Sequence, residues 1–542
     1  MPASPHHTPD SGPTQQAGPA PHSASADTVP PNHPEVRQNL TDAAHHVTPE
    51  QRQSVLRTLK TPGWLKTEVL AGLVVALALI PEAIAFALIA GVDPAIGLYA
   101  ASVMAIAIAF LGGRPAMISA ATAATALVVA PVVASHGVQH LFATVILAGI
   151  LQVVLGLAGV AKLMRFIPRS VMTGFVNALA ILIFTAQLPD LIGVPWLVYP
   201  LTALGLAIIF LFPRITTAVP APLVAIIVVT LVAVVVNMSV PTVGDKGELP
   251  SSLPAFLIPE VPYTWETLQV IFPYALAMAL VGLLESLLTA KLVDDVTDTR
   301  SDKTRESLGQ GGANVLAGLF GGMGGCAMIG QTMINVKASG ARTRISTFMA
   351  GALLMVLSVA LGETVSVVPM AALVAVMVFV SWATFDWHSI RPSTLRAMPL
   401  SETVVMLVTV VATVATHNLA VGVGLGVLTA MVLFARRVAH FVTVRREVAA
   451  GEGDADTVTY TVDGELFFAS SNDLYTQFQY AEDPARVVVD LSGSHVWDAS
   501  TVAALDAITE KYHRYGKTVE VVGLNRASAD MRERLRGRLG EG

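Results

Sequence analysis

One cysteine in 542 residues, Cys326, has no second thiol to meet, so a disulfide framework and a cysteine-based zinc site are both excluded. Charge is scarce too: Asp, Glu, Lys and Arg make up 13% of the chain, about half the share of an ordinary soluble domain. Acids slightly outnumber bases, for a formal net charge of −6, which argues against a nucleic-acid partner because such proteins carry a basic face. There is no Ser-His-Asp set, no phosphate loop and no cluster with metal-ligand spacing. The chain is therefore expected to be no enzyme and to hold no cofactor or metal. What it has in quantity is apolar surface, 53% hydrophobic residues and a mean hydropathy of +0.63, which places it in a lipid bilayer.

Residues 1–50 are the exception. They are rich in Pro, Ser, Ala and His without apolar periodicity, a composition that cannot offset chain entropy by burial and reads as a disordered tail. From 51 to 445 the chain is a transport-type membrane domain of fourteen apolar segments, several short or broken by Gly and Pro, a pattern tolerated at membrane depth only where the backbone is buried or lines a cavity. With the amino terminus inside, the inner joints collect Arg114, Arg214, Arg300, Lys303, Arg342, Arg344, Arg436 and Arg437, whereas the outer joints offer Lys246 among Asp93, Asp190, Asp245, Glu248 and Glu363. That asymmetry predicts a multi-pass protein of the cell inner (plasma) membrane with both termini cytoplasmic.

Two stretches repeat one another. GGRPAMISAATAAT at 112–125 and GGMGGCAMIGQTMINVK at 321–337 each carry a glycine pair, then Ala-Met-Ile, then small and hydroxyl residues. Fourteen segments divide as seven plus seven of opposite orientation, and these stretches then open the third segment of each half. Inverted repeats of this kind bring broken helices together near the bilayer midplane with their N-termini toward a substrate. Each N-terminus carries about half a positive charge and free N–H groups, so two of them make an anion site without a basic side chain. Ser119, Thr122, Thr125, Thr332 and Asn335 are candidate extra donors. The competing reading is a small-residue packing motif between helices.

Two acids lie inside apolar segments, Glu82 in IPEAIAFALIAG and Glu285 in LVGLLESLLTAKL, at matching places in the halves. A charge there costs at least about 2.5 kcal/mol and marks an ion or proton pathway by default. A carboxyl withdrawn from water favours its neutral form, so both are candidate proton carriers. For Glu82 the alternative is a bond to backbone freed by Pro81. Phe86, one turn beyond Glu82, shares its face and is a candidate aromatic wall, packing being the other reading.

These residues resemble the sulfate permease (SulP) family of anion transporters, which includes prestin and pendrin. The likeness runs from about residue 60 to the end and is carried by PEAIAFALIAGVDPAIGLYA (81–100), IPRSVMTGFVNALAILI (167–183), LVGLLESLLTAKL, RESLGQGGANVLAG (305–318) and the second glycine-rich stretch. The resemblance implies an α-helical polytopic fold of fourteen transmembrane segments in a 7+7 inverted repeat, arranged as core and gate domains that move elevator-fashion, with homodimers usual. It implies small anion substrates such as sulfate, bicarbonate, chloride or dicarboxylates like fumarate. Its pocket maps onto Glu82, Phe86, Ala121, Thr122, Ala123, Glu285, Gly330, Gln331 and Thr332. Vertebrate relatives tend to have an arginine at the place of Gln331 and a glutamine or similar residue at that of Glu82. This pocket thus lacks a fixed cation and carries an additional acid, which favours symport with a proton taken up at Glu285 and Glu82. A monovalent anion entering an inside-negative cell climbs about 2.3 kcal/mol per 100 mV, and a co-transported proton cancels that charge. Sodium-coupled bicarbonate symport and anion exchange remain as alternatives, with a nucleobase permease, an anion channel and a regulatory scaffold behind them.

From 454 to 542 strands and helices alternate, a pattern of a small α/β domain outside the membrane. VTYTVDG, ELFFAS, RVVVDLSG and TVEVVGL read as strands, with helices near 471–480, 499–514 and 526–538. The segment resembles the cytoplasmic STAS domain, and VVVDLSGSHVWDAST carries the likeness. Ser500 falls where anti-anti-sigma factors place a phosphorylated serine, which makes it a candidate regulatory site. A helix N-cap is the simpler role for Asp498 or Ser500.

Overall fold

The computed structural model describes residues 54–160, 162, 167–216, 219–439, 442–449 and 456–535. The tail expected over residues 1–50 lies outside the described residues. After a short helix at Val55–Lys60, the apolar part runs through α1 Pro62–Ala90, α2 Pro94–Leu111, β1 Ser119–Ala120, α3 Ala123–His136, α4 Val138–Leu157, α5 Arg169–Ala186, α6 Val198–Leu211 and α7 Ala221–Val235. The same order then recurs: α8 Trp265–Thr297, α9 Lys303–Leu319, β2 Cys326–Ala327, α10 Ile329–Met333 continuing as a π-turn over Ile334–Ala338, α11 Arg344–Ala360, α12 Met370–Thr384, α13 Leu400–Thr416 and α14 Leu419–Ala439. Among the described residues, six helices are long and apolar enough to cross a membrane, and six more are apolar but shorter.

Local chemistry sets the ends. Pro62 opens α1 where its missing N–H costs nothing, and Gly91, at φ 76°, closes it in the left-handed conformation. The Thr122 side chain accepts from Thr125 N to start α3, and Asp302 does the same from Arg305 N for α9. Helix ends are also capped from a distance: Glu68 of α1 accepts from the backbone N–H of Arg342, Thr343 and Ser346 at the start of α11.

The helices sort into two packed sets. The first unites α1–α4 with α8–α11, and the second α5–α7 with α12–α14. Gly149 of α4 and Gly311 of α9 show why the first set is tight. A Cβ on Gly311 would meet the Gly149 carbonyl oxygen at 2.6 Å, so only glycine lets these backbones come so close. The main contacts between the sets run from α1, α3 and α8 to α5, α7, α12 and α14.

The segment joining α7 to α8 crosses from one set to the other. Its first part is pinned beside α12, through Val243 N to Val368 O, Gly244 N to Ser366 O and Met370 N to Pro241 O. Its second part is pinned to the other set, through Ala95 N to Glu248 O, Glu248 N to Asp93, Tyr99 to Ser252 O and Leu257 N to Leu319 O. Only Asp245, Lys246 and Gly247 lie between Gly244 and Glu248.

The carboxyl-terminal domain is a four-stranded sheet in the order β3-β4-β5-β6, with β3 Thr443–Ala449, β4 Thr457–Leu466, β5 Arg486–Val496 and β6 Thr518–Val522. The first pair is antiparallel and the others parallel. Helices α15 Phe468–Thr476, α16 Ala499–Arg514 and α17 Arg526–Leu535 complete it, and α14 packs against α15 and β4. VTYTVDG and the start of ELFFAS form one strand, not two: Asp463-Gly464, a turn dipeptide in sequence, sits in β4 beside a register shift, with Gly464 at φ 124°. Buried Asp483 holds the domain together. It accepts from Tyr460 Oη at 2.7 Å, Tyr512 Oη at 2.5 Å and Arg446 Nε at 2.9 Å, joining β3, β4 and α16. Burial pushes the Tyr460 and Tyr512 hydroxyls up from the ordinary tyrosine range.

Candidate binding site between the helix sets

The two repeated stretches meet. β1 and β2 pair antiparallel, Ser119 opposite Ala327 and Ala120 opposite Cys326, so α3 and α10 both begin within three residues of one small sheet. Gly325 makes the pairing possible, since any Cβ there would overlap the Ala120 carbonyl. Asn314 of α9 clamps the same glycine, accepting from Gly325 N at 2.8 Å and donating to Gly325 O at 3.0 Å, while its amide also reaches Gln152 of α4. Ala327 N donates to Ser286 of α8.

Beside this sheet lies a cavity of about 550 Å³. The first helix set contributes Glu82 and Phe86 of α1, Thr122 and Ala123 at the start of α3, Glu285 of α8, and Gly330 and Gln331 of α10. The second set contributes Phe175, Leu179 and Ile183 of α5, Pro220 to Pro222 at α7, and Phe379, Val380, Ala383 and Thr384 of α12. Every ionisable lining group thus belongs to the first set, and the facing wall is apolar except for Thr384. The first turns of α3 and α10, where backbone N–H groups lack intrahelical partners, border the space through Thr122, Ala123, Ile329, Gly330 and Gln331.

Glu82 Oε1 accepts from Gln331 Nε2 at 2.9 Å, linking the two halves of the repeat. Gln331 is 2% exposed, and its Oε1 has no partner among the described residues. Glu285 is also buried, and its Oε2 accepts from Cys326 Sγ at 2.8 Å. One turn on, Thr289 donates its hydroxyl to the Glu285 carbonyl. Among the described residues the lining includes no Lys or Arg, which leaves backbone dipoles at the helix starts as the only favourable charge toward an anion from the lining, and each acid has one neutral donor beside it.

The structure therefore brings together Glu82, Phe86, Thr122, Ala123, Glu285, Gly330 and Gln331. Ala121 and Thr332 are buried next to the cavity without lining it. Thr332 instead ties α10 to β1, its Oγ1 accepting from Ile118 N at 3.0 Å. The other candidate donors are similarly spent: Ser119 accepts from Gln310, Thr125 completes the α3 cap, and Asn335 donates to Ala116 O and Ser346. Sequence reasoning missed the apolar wall of α5 and α12, whose residues look like any others in apolar helices. It also missed Cys326 as the partner of Glu285. In the carboxyl-terminal domain Asp498 is the N-cap of α16, accepting from Thr501 N at 3.1 Å and from Phe468 N at 2.6 Å. Ser500 is exposed in the first turn.

Known proteins share this architecture. The model of the sulfate permease family matches residues 65–199 and 195–409, and that of the STAS domain matches 449–536. YbaR of Bacillus subtilis (strain 168), named as a sulfate transporter, is 55% identical over 473 residues, 87% of this chain and 97% of its own. Among solved structures, the transmembrane domain of the cyanobacterial bicarbonate transporter BicA superposes with a TM-score of 0.60 at 26% identity, over 66% of this chain and 97% of that one. The overall structure of SLC26A9 superposes with a TM-score of 0.73 at 17% identity, over 95% and 94%, a likeness of fold.

Proposed function

The chain belongs to the sulfate permease family, and from that premise we propose that it is a secondary active transporter that takes up a small anion, of the dicarboxylate, bicarbonate or sulfate class, together with protons. The observation that carries the reading is the cavity: two buried acids, no basic side chain, and two helix starts at its edge, whose free N–H groups suit an anion. An anion meeting two carboxylates is repelled unless they are neutralised, and a proton does so while also cancelling the electrical cost of entry. Protons are preferred to sodium because a hard cation wants several oxygens, and Glu285 with Thr289 and the nearby backbone carbonyls is a sparse set.

The placement of all ionisable groups on one helix set, against an apolar wall on the other, supports an elevator-like cycle: the polar set carries the anion past a surface that offers it nothing to bind. In this reading the fourteen helical segments span the inner membrane as core and gate domains, both termini are cytoplasmic, the transporter is a homodimer, and the STAS domain lies in the cytoplasm. The test is uptake of labelled fumarate, bicarbonate, sulfate and uracil into proteoliposomes with pH and sodium gradients imposed separately. Accumulation of one anion with an inward proton gradient is expected. Sodium dependence with indifference to pH refutes the coupling, and uracil uptake refutes the substrate class.

A further inference from the structure

Cys326 is fully buried and does not line the cavity, yet it sits between the two groups that a proton-coupled cycle has to connect. On one side its Sγ donates to Glu285 Oε2 at 2.8 Å. On the other it lies 3.2 Å from Thr122 Oγ1, and that hydroxyl accepts from Thr125 N, caps α3 and lines the cavity. Strand register puts the thiol there: Cys326 is paired with Ala120, two residues before Thr122.

We propose that Glu285, Cys326 and Thr122 form a hydrogen-bond relay through which the state of the acid sets the direction of the hydroxyl at the anion-binding end of α3, with Cys326 as its positioning residue. The inference rests on the proton-coupled reading above and gives it a path. With Glu285 ionised, the carboxylate can only accept, so the thiol hydrogen points to Oε2 and the sulfur lone pairs are left to accept from the Thr122 hydroxyl. A proton on Oε2 makes that oxygen a donor to sulfur. The thiol hydrogen then turns to Thr122 Oγ1, and the Thr122 hydrogen is released from sulfur to point at an anion in the cavity, with Thr125 Oγ1 at 3.1 Å as the acceptor it leaves or returns to when no anion is bound. No covalent bond is made or broken except at Glu285, where the proton arrives; the other steps are rotations. The protonated acid and the anion thereby favour the same arrangement, which is what symport needs. The titratable groups that face Glu285 are Cys326 from β2 and, within the same cavity, Glu82 from α1; α3, α4, α9, α10 and α14 add no other titratable side chain to its lining among the described residues.

The experiment uses the full chain in proteoliposomes, with whichever of labelled fumarate, bicarbonate or sulfate the wild type accumulates, and reads the ratio of proton-driven uptake to anion counterflow. Cys326→Ala is expected to lower that ratio by about tenfold. Cys326→Ser, which keeps a donor and an acceptor, is expected to restore it to within about threefold of wild type with a displaced pH profile. A Cys326→Ala ratio within about twofold of wild type, or a Cys326→Ser ratio as low as that of Cys326→Ala, overturns the relay. A readout on the unaltered protein guards against misfolded variants: the infrared S–H band is expected to move between high and low pH and to stay fixed in Glu285→Gln. A band fixed in the wild type overturns the relay as well. Wild-type uptake with no response to a proton gradient removes the coupled reading first, and the relay with it.

Discussion

Glu285→Gln separates proton coupling from anion binding. The amide keeps an acceptor for the Cys326 thiol and the volume of the acid, but it cannot take up a proton. Glu82 and Glu285 are the titratable groups that line the cavity, so on the proton-coupled reading proposed above these two acids carry one or two protons per cycle. Each unit of inward pH gradient is worth about 1.36 kcal/mol per proton, or about tenfold accumulation of the anion at zero membrane potential. Wild type is therefore expected to reach about tenfold per pH unit with one proton and about a hundredfold with two. Glu285→Gln should hold at equality with the medium if one proton is used, or drop from about a hundredfold to about tenfold if Glu82 carries the other. The assay is steady-state accumulation of labelled anion in proteoliposomes clamped at zero potential by a potassium ionophore, over pH gradients of increasing size. A Glu285→Gln protein whose accumulation rises with the gradient as steeply as wild type refutes the assignment.

Gly325→Ala forces a methyl group into the Ala120 carbonyl and should part the strands from which α3 and α10 start; uptake is expected to fall by about tenfold or more with the protein still inserted in the membrane, and unchanged uptake refutes the role of the strand pair. Asp483→Ala leaves the Tyr460 and Tyr512 hydroxyls and the Arg446 guanidinium without their shared acceptor, at a cost of about 3 kcal/mol; hydrogen exchange in β3, β4 and α16 of the full chain should quicken, and unaltered protection counts against it. Tyr460 and Tyr512 have folded values raised by burial, so their stabilising share is complete below the free tyrosine value of about 10 and is lost as pH rises through the folded values. Exchange protection of α16 should therefore weaken at strongly alkaline pH, and less steeply in Tyr512→Phe; equal slopes in both proteins contradict the sign.

Much of this was legible because membrane burial writes itself into composition. Long apolar runs, the echoed glycine-rich stretches and two isolated acids are visible without any contact being known, and the structure gathers Glu82, Glu285, Thr122 and Gln331 around one cavity. Side-chain direction was not legible. Ser119, Thr332 and Asn335 carry the chemistry of anion donors, but the backbone of two short strands and a broken helix needs partners of its own, and these residues supply them. Cys326 looked inert because a lone thiol has no sequence partner; Glu285, its acceptor, stands 41 positions away. In the carboxyl-terminal domain β3 was invisible because TVRREVA is charged and mostly exposed at a sheet edge, while Asp463-Gly464 signals a turn as readily as the irregularity it makes.

The segment between α7 and α8 has a mechanical corollary. It is fastened to one helix set up to Gly244 and to the other from Glu248, with a side-chain tether from Lys246 to Asp190 near the end of α5. From Gly244 to Glu248 are four residue steps, which span at most about 14 Å when fully stretched. While both fastenings hold, this rim of the molecule is a short leash, and any larger stroke between the sets has to be a swing about it, with the greatest travel at the far face.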